Sequence, residues 1–133
     1  MSRSEIEVLE ANTAFYAAFA GGDVAAMDAL WAREAPVACV HPGWDALRGR
    51  EEVMASWRAV LGGQPPAVTC TSASAHVLGE CAFVICQERL PGARLVATNV
   101  FVREAGAWRL VHHQAGALAR APQEAPPPGG TLN

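Results

Sequence analysis

The sequence predicts an α+β domain in which N-terminal helices pack inside a strongly curved antiparallel sheet. Helical periodicity fills the first half of the chain, and from residue 67 onward apolar residues follow a period of two. Each predicted strand has about eleven residues and is therefore ~36 Å long at ~3.3 Å per residue. A domain of this length has a radius of gyration of only ~14 Å. We therefore expect the strands to bend around the helices and to enclose a pocket.

Three helices are predicted before the strands. The first spans residues 4–20, where apolar side chains recur at helical spacing until Gly21 and Gly22 end the pattern. Asp23 is the expected N-cap of a second helix, and two glutamates begin a third over residues 50–61. A short strand at residues 36–40 and a loop at 41–49 separate the second helix from the third.

Long strands are predicted at residues 67–77, 80–90, 94–104 and 107–118. Both alternating sets of side chains in the second and third of these strands are largely apolar. An antiparallel sheet with one solvated face should instead carry polar residues at alternate positions. A second copy of the chain is the simplest cover for the outer face, so we expect a homodimer formed through it.

Composition limits the function classes. The 133 residues, of net charge −3, predict one domain over residues 1–120 and a flexible, Pro/Gly-rich tail over 121–133. All ten basic residues are scattered arginines, which argues against nucleic-acid binding. No apolar run is long enough to cross a membrane, so a cytoplasmic protein is expected. The four cysteines lack metal-ligand spacing and indicate buried thiols, and neither a metal nor a cofactor is predicted.

Four segments resemble the SnoaL-like branch of the nuclear transport factor 2-like superfamily. They are His41-Pro42-Gly43, Leu47-Arg48-Gly49-Arg50-Glu51, Ser56-Trp57, and Trp108-Arg109-Leu110-Val111-His112-His113. The resemblance covers residues 4–119. It implies a cone-shaped α+β fold, a dimer through the outer sheet face and an apolar cavity at the wide end. The superfamily includes isomerases, cyclases, dehydratases, binding domains and assembly modules, so fold alone does not select a function.

Tyr16, His41 and Asp45 are the candidate catalytic residues. Tyr16 lies on the core side of the first helix, and its similarity to the first-helix tyrosine of steroid isomerases implies an oxyanion donor. The alternative is a core tyrosine bonded to a backbone carbonyl. His41 ends the short strand and is a candidate base or ligand contact, or a loop-capping histidine. Asp45, the acid of the following loop, is an alternative base.

Candidate ligand contacts also occur on the third helix and the strands. Trp57 is interpreted either as a packing residue or as the aromatic wall of a pocket. Asn99 is a lone amide in an apolar strand, and Glu88 is a similar case that could instead lie near the open end. His112 and His113 must point to opposite faces of a regular strand. In the last strand, either Trp108, Leu110 and His112 or Arg109, Val111 and His113 face inward. Arg109 argues against the second arrangement, whereas the resemblance favours an inward His113.

The leading hypothesis is a domain that binds a small apolar or aromatic ligand. Its polar contacts would be Tyr16, His41, Asn99 and His113, and Trp57 would form a wall. One alternative is an isomerase, dehydratase or cyclase that acts on a carbonyl compound by proton transfer. Another is a non-catalytic dimerisation or association module. The central strands offer no aspartate, which disfavours a steroid-isomerase mechanism.

Overall fold

The structure is a computed structural model that describes residues 1–119. This part of the chain contains three helices: α1 (Arg3–Gly21), α2 (Val24–Leu30) and α3 (Arg50–Gly62). It also contains six strands: β1 (Ala38–Val40), β2 (Leu47–Arg48), β3 (Thr69–Leu78), β4 (Cys81–Leu90), β5 (Ala93–Glu104) and β6 (Ala107–Ala117). The predicted α+β class is confirmed. The predicted tail over residues 121–133 lies outside the described residues.

All six strands belong to one sheet with the order β2-β1-β6-β5-β4-β3. The last four form the predicted antiparallel meander. The sheet as a whole is mixed rather than purely antiparallel, because β1 pairs with β6 in parallel. The predicted loop also contains a strand, since Leu47 turns back to pair with Cys39 and forms β2. The mixed sheet is not closed into a barrel.

Local sequence signals fix the helix ends. Ser2 and Glu5 form a capping box at the start of α1, in which the Ser2 hydroxyl accepts from the Glu5 amide at 3.1 Å. Gly22 ends α1 in the left-handed conformation with φ of 63°. A Cβ atom at Gly22 would lie 2.7 Å from Cγ of Pro65, so this turn also requires a residue without a side chain. Asp23 caps α2 as predicted, accepting from the Ala26 amide at 3.0 Å.

The sheet curves around α1, which contacts β3, β4 and β6. Two register shifts accompany the curvature, one in β3 between Thr71 and Ser74 and one in the pairing of β5 with β6. An extra residue in one strand increases local bend and twist. Within residues 1–119, no helix is both long enough and apolar enough to cross a bilayer.

The second register shift determines which β6 side chains face inward. Phe101 pairs with Leu110 while Val100 pairs with His112, so Val111 is the extra residue. A regular strand would have either its even-numbered or its odd-numbered side chains inside, and neither alternation holds along the whole of β6. Trp108 and Leu110 are buried on the inner side before the shift, and His113 is buried after it. The bulge therefore places an arginine outside and a histidine inside the same strand.

Candidate functional site

Five polar side chains meet in the interior between α1 and the sheet. Asn12 and Tyr16 are one turn apart on α1, Glu88 lies on β4, Asn99 on β5 and His113 on β6. None is more than 5% exposed. We call this group the inner network. It gathers residues from four elements at the concave side of the sheet.

The hydrogen bonds of the inner network have a defined direction. Nδ1 of His113 lies 2.6 Å from Oδ1 of Asn99. Since an amide oxygen only accepts, this bond places the imidazole proton on Nδ1. Nδ2 of Asn99 then donates to Oδ1 of Asn12 at 2.9 Å and to the Tyr16 hydroxyl at 3.2 Å. The Tyr16 hydroxyl in turn donates to Oε2 of Glu88 at 2.6 Å.

Burial sets the protonation of the inner network. It lowers the pKa of His113 to about 3, with smaller contributions from His41 and His112. It raises the pKa of Glu88, against the opposing effect of the Tyr16 hydrogen bond. It also raises the pKa of Tyr16, and the Glu88 carboxyl adds to that shift. The network therefore combines a neutral imidazole, a neutral phenol and a carboxyl group that retains its proton to a higher pH than usual.

An aromatic cluster borders the inner network. The ring of His113 lies 5.0 Å from that of Phe15 and 5.8 Å from that of Trp57, measured between centroids. Phe19 packs edge-on against Trp57 at 4.9 Å. Phe15, Phe19 and Trp57 are buried. These rings form apolar walls directly beside the polar groups.

His41 packs beside Trp57 with ring centroids 4.8 Å apart, and its ring lies 6.4 Å from that of His113. The Ser56 hydroxyl donates to the Val53 carbonyl at 2.7 Å, so its oxygen accepts from Nε2 of His41 at 2.9 Å. Burial lowers the pKa of His41. The half-exposed Trp44 ring covers His41 at 4.8 Å. His41 therefore belongs to the border of the aromatic cluster and not to the inner network.

A cleft of about 380 Å³ opens between α1 and β3. Asn12 and Tyr16 of the inner network line it, together with Cys70 of β3. The other lining residues are apolar or carry hydroxyl groups: Leu9, Thr13, Ala17, Val68, Thr69, Thr71, Ser72 and Ala73. None of these described lining residues is charged. The cleft gives the inner network a route to the surface beside α1, and the expected cavity at the wide end of the sheet stays a prediction.

The structure brings together most, but not all, of the predicted site residues. Tyr16, Asn99 and His113 are hydrogen-bonded within the inner network, and Trp57 and His41 adjoin it. Asp45 does not join them. It lies exposed in the turn after β1, where its carboxylate accepts from the Ala46 amide at 2.7 Å.

Two members of the network were not among the predicted site residues. Asn12 occupies the apolar stripe of α1, one turn before Tyr16, and a lone amide in such a stripe is a detectable signal. Glu88 follows Val84 and Cys86 in the alternation of β4, and all three are buried. That alternation indicated an inward direction, but the neighbouring Arg89 suggested solvent. Within residues 1–119 no group of three or more histidine, cysteine or acidic residues is placed to hold a metal ion.

Comparisons with known proteins agree with this architecture. An NTF2-like protein from Streptomyces avermitilis, described as a proposed dehydratase, is 34% identical with a TM-score of 0.81, covering 88% of this chain and 97% of its own. A proposed calcium/calmodulin-dependent protein kinase type II association domain from Thiobacillus denitrificans is 35% identical with a TM-score of 0.73, covering 81% and 92%.

A plant protein shares the sequence pattern at lower identity. F-box protein SKIP8 of Arabidopsis thaliana is 25% identical over 114 residues, which are 84% of this chain and 49% of that protein. The chain thus spans about half the length of this relative. The SnoaL-like domain family matches residues 8–119, the greater part of the sequence. With the α+β architecture and the NTF2-like neighbours, this match shows that the chain belongs to the SnoaL-like family of NTF2-like proteins.

Proposed function

We propose that this domain binds a small, neutral, largely apolar molecule that carries a carbonyl or hydroxyl oxygen. One observation carries the proposal: Asn12 and Tyr16 belong to the buried hydrogen-bond network and also line the open cleft. A ligand in the cleft would therefore lie against two residues whose polar groups are already oriented by the network. The cleft volume of about 380 Å³ is within the range of small-molecule sites.

Energetics support a recognition role for the inner network. Apolar groups of the same shape that replace both partners of a buried hydrogen bond often leave stability almost unchanged. A core built only for stability therefore does not need five polar side chains from four elements. Leu9, Ala17 and Val68 supply apolar lining in the cleft beside Asn12 and Tyr16, which suits a ligand with one polar end. The uncharged lining of the cleft favours a neutral compound over an ion.

A ligand titration tests the proposal. Neutral aromatic ketones and hydroxyketones should quench or shift tryptophan emission, and a ligand at 100 times its Kd should raise the unfolding free energy by about 2.7 kcal/mol. Tyr16→Phe and Asn12→Leu should weaken binding by about tenfold each, since each removes one polar partner of the ligand. Thr98→Val, on the other face of the sheet, is the matched control and should bind as wild type. Equal affinity in all four proteins would contradict binding through the cleft.

Dehydration by proton transfer is a second candidate, favoured by the Tyr16–Glu88 contact. Loss of water from a β-hydroxy carbonyl compound requires a base for the carbon-bound proton and an acid for the leaving hydroxyl. A carboxyl group with a raised pKa suits the base, and the neutral Tyr16 hydroxyl, 2.6 Å from it, suits the donor. The proposed dehydratase at 34% identity supports the same reaction class.

Turnover assays separate catalysis from binding alone. If Glu88 is the base, Glu88→Gln should lower the rate of water loss by about 100-fold or more while ligand binding persists. Asp45→Asn is the control, because Asp45 is exposed and outside the inner network. Absence of turnover in wild type for every compound that binds would reject the enzymatic candidate and leave the binding proposal intact.

Association through the outer sheet face is a third candidate, in which a second copy of the chain is the partner. Ile85 and Val96 are each 41% exposed on that face, and Phe83 and Val100 extend the apolar surface. A relative described as a proposed association domain is 35% identical. Sedimentation should show a dimer that Val96→Arg dissociates. Ile6→Arg changes an equally exposed residue on α1 and should leave it intact. A monomeric wild type would refute this candidate.

A further inference from the structure

Two thiols lie one behind the other at the inner end of the cleft. Cys70 of β3 is partly buried and lines the cleft, whereas Cys86 of β4 is fully buried behind it. Sγ of Cys86 lies 3.3 Å from the Tyr16 hydroxyl. Cys70 and Cys86 lie on neighbouring strands at diagonal positions of the same face, because Cys70 pairs with Glu88, two residues beyond Cys86. The pair combines one sulfur that solutes can reach with a second that they cannot.

The strand geometry allows the pair to approach. Cys70 pairs with Glu88, and Cys86 is the next inward-facing residue along β4. The register of β3 shifts after Thr71, and Ser72 has a positive φ of 56°. Because the ladder is already interrupted beside Cys70, this end of β3 can shift toward Cys86 at little cost in strand pairing.

An oriented chain of donors ends at Cys70. His113 donates to Asn99, and Asn99 donates to Oδ1 of Asn12. Asn12 must therefore present its Nδ2 donor in the other direction, where it lies 3.6 Å from Sγ of Cys70. Donors aimed at a sulfur stabilise its thiolate form, which is the nucleophile.

The electrostatics of the cysteines agree with this geometry. Hydrogen bonds from Cys86 and Asn12 lower the pKa of Cys70, although burial opposes them. The bond to Cys70 and burial raise the pKa of Cys86. Burial also raises the pKa of Cys39, to about 12. Thiols that are accessible, acidified and next to a second cysteine are typical of redox-sensitive sites.

We propose that Cys70 and Cys86 form a thiol modification site for a neutral hydroperoxide that enters the cleft. In the first step the Cys70 thiolate attacks the terminal peroxide oxygen, the O–O bond breaks, and the sulfur becomes a sulfenic acid. The departing alkoxide takes up the proton that the Cys70 thiol released on ionisation and leaves as an alcohol. In the second step Cys86 attacks the Cys70 sulfur. A disulfide forms, and the sulfenic hydroxyl leaves as water with the proton of Cys86. The hydroperoxide supplies the oxidising equivalents, and its reduction balances the formation of the disulfide.

The disulfide would alter the inner network. It would withdraw the Cys86 sulfur from Tyr16 and the Cys70 sulfur from Asn12, two contacts of residues that line the cleft. The reaction does not depend on the ligand proposed above, since it requires only the cleft and the two thiols. Ligand binding and thiol oxidation can therefore be tested separately on the same protein.

Peptide mass spectrometry after treatment of the reduced protein with cumene hydroperoxide tests the site. Wild type should form the Cys70–Cys86 disulfide. Cys86→Ser should stop at a sulfenic acid on Cys70, trapped as a dimedone adduct, and Cys70→Ser should form neither product. Asn12→Leu should slow oxidation of Cys70 by about tenfold, because it removes a donor to the thiolate.

Cys81→Ser is the matched control, because Cys81 is partly buried at the other end of β4, outside the cleft lining. It should form the Cys70–Cys86 disulfide at the wild-type rate. Circular dichroism of each variant verifies that it is folded. Oxidation of Cys81 as fast as Cys70, or a wild-type product that stays a sulfenic acid without forming the disulfide, would overturn the proposal.

Discussion

The two faces of β4 and β5 each carry residues that are unusual for their side of an antiparallel sheet. Their inner face buries Glu88 and Asn99, at 1% and 0% exposure, while their outer face leaves Ile85 and Val96 each 41% exposed. A sheet with one solvated face normally does the opposite. The inner face thus holds two polar residues within an otherwise apolar layer, and the outer face exposes apolar side chains.

The two faces also differ in how strongly each side chain depends on its neighbours. Asn99 is hydrogen-bonded to side chains of α1 and β6, whereas Val96 lines an open pocket of about 490 Å³ on the sheet surface. Loss of an inner residue leaves buried partners unpaired, which costs more than the loss of an exposed apolar contact. Substitutions on the inner face should therefore have the larger effects.

The largest effect is expected from Asn99→Leu. The substitution leaves the Nδ1 proton of His113 and Oδ1 of Asn12 without their partner, and each such buried group costs about 1–3 kcal/mol. We expect a total loss of about 2–4 kcal/mol in the unfolding free energy, measured by urea denaturation. Thr98→Val, its outward-facing neighbour, should change stability by no more than about 0.5 kcal/mol. Similar losses for both would remove the distinction between the faces.

His113→Gln should change how stability depends on pH. The folded pKa of His113, about 3, lies below its ordinary 6.5, so below pH 6.5 the unfolded chain binds a proton that the folded chain does not. Wild-type stability therefore falls as the pH decreases from 6.5 toward 3. The stability advantage of wild type over His113→Gln should shrink by about 2 kcal/mol between pH 7 and pH 5.

His76→Gln, on the exposed outer face, is the control for that prediction. It should retain the wild-type slope of unfolding free energy against pH. A parallel pH dependence in wild type and His113→Gln would show that His113 is solvated or charged in the folded protein.

A smaller effect of opposite sign is expected from Glu88→Gln. Burial raises the folded pKa of Glu88 above 4.5, so the folded state keeps a proton that the unfolded state has lost. The contribution of Glu88 to the unfolding free energy of the wild type therefore decreases as the pH rises from about 4.5 through the folded pKa. Glu88→Gln removes this loss and should therefore gain stability relative to wild type as the pH rises over that range. Glu10→Gln, on the exposed side of α1, should show no such gain.

The smallest effect on the monomer is expected from Ile85→Thr on the outer face. At low protein concentration, thermal unfolding should change by no more than the equivalent of about 0.5 kcal/mol. If a second copy covers this face, the difference in thermal stability between wild type and Ile85→Thr should grow with protein concentration, because association stabilises only the wild type. A large loss at low concentration would indicate that the outer face packs within the monomer.

Local signals in the sequence predicted the elements well. The spacing of apolar residues located α1 and α3, Asp23 marked the start of α2, and the change to a period of two located the four long strands. These patterns were sufficient because helix and strand periodicities act over a few residues. The length of the strands predicted the curved sheet, and the resemblance to SnoaL-like proteins favoured the inward direction of His113.

Other features could not be predicted because they depend on pairing between distant segments. The parallel pairing of β1 with β6 and the bulge at Val111 are set by register, which no single segment specifies. The contact of Glu88 with Tyr16 could not be predicted for the same reason, since the two residues are 72 positions apart in the sequence and meet only through the register of the sheet. Asn12 lies within the apolar stripe of α1, but that stripe does not specify its partners on β3 and β5.

The sequence by itself determined the class of fold, the position of each long element and the presence of polar residues within apolar segments. The tertiary structure decided which of those residues meet, which sulfur faces the cleft and which histidine is buried. The physical reason is that side-chain direction within an element follows from local geometry, whereas contact between elements follows from strand register and sheet curvature. A shift of one residue at Val111 exchanges the inner and outer faces of β6 beyond it.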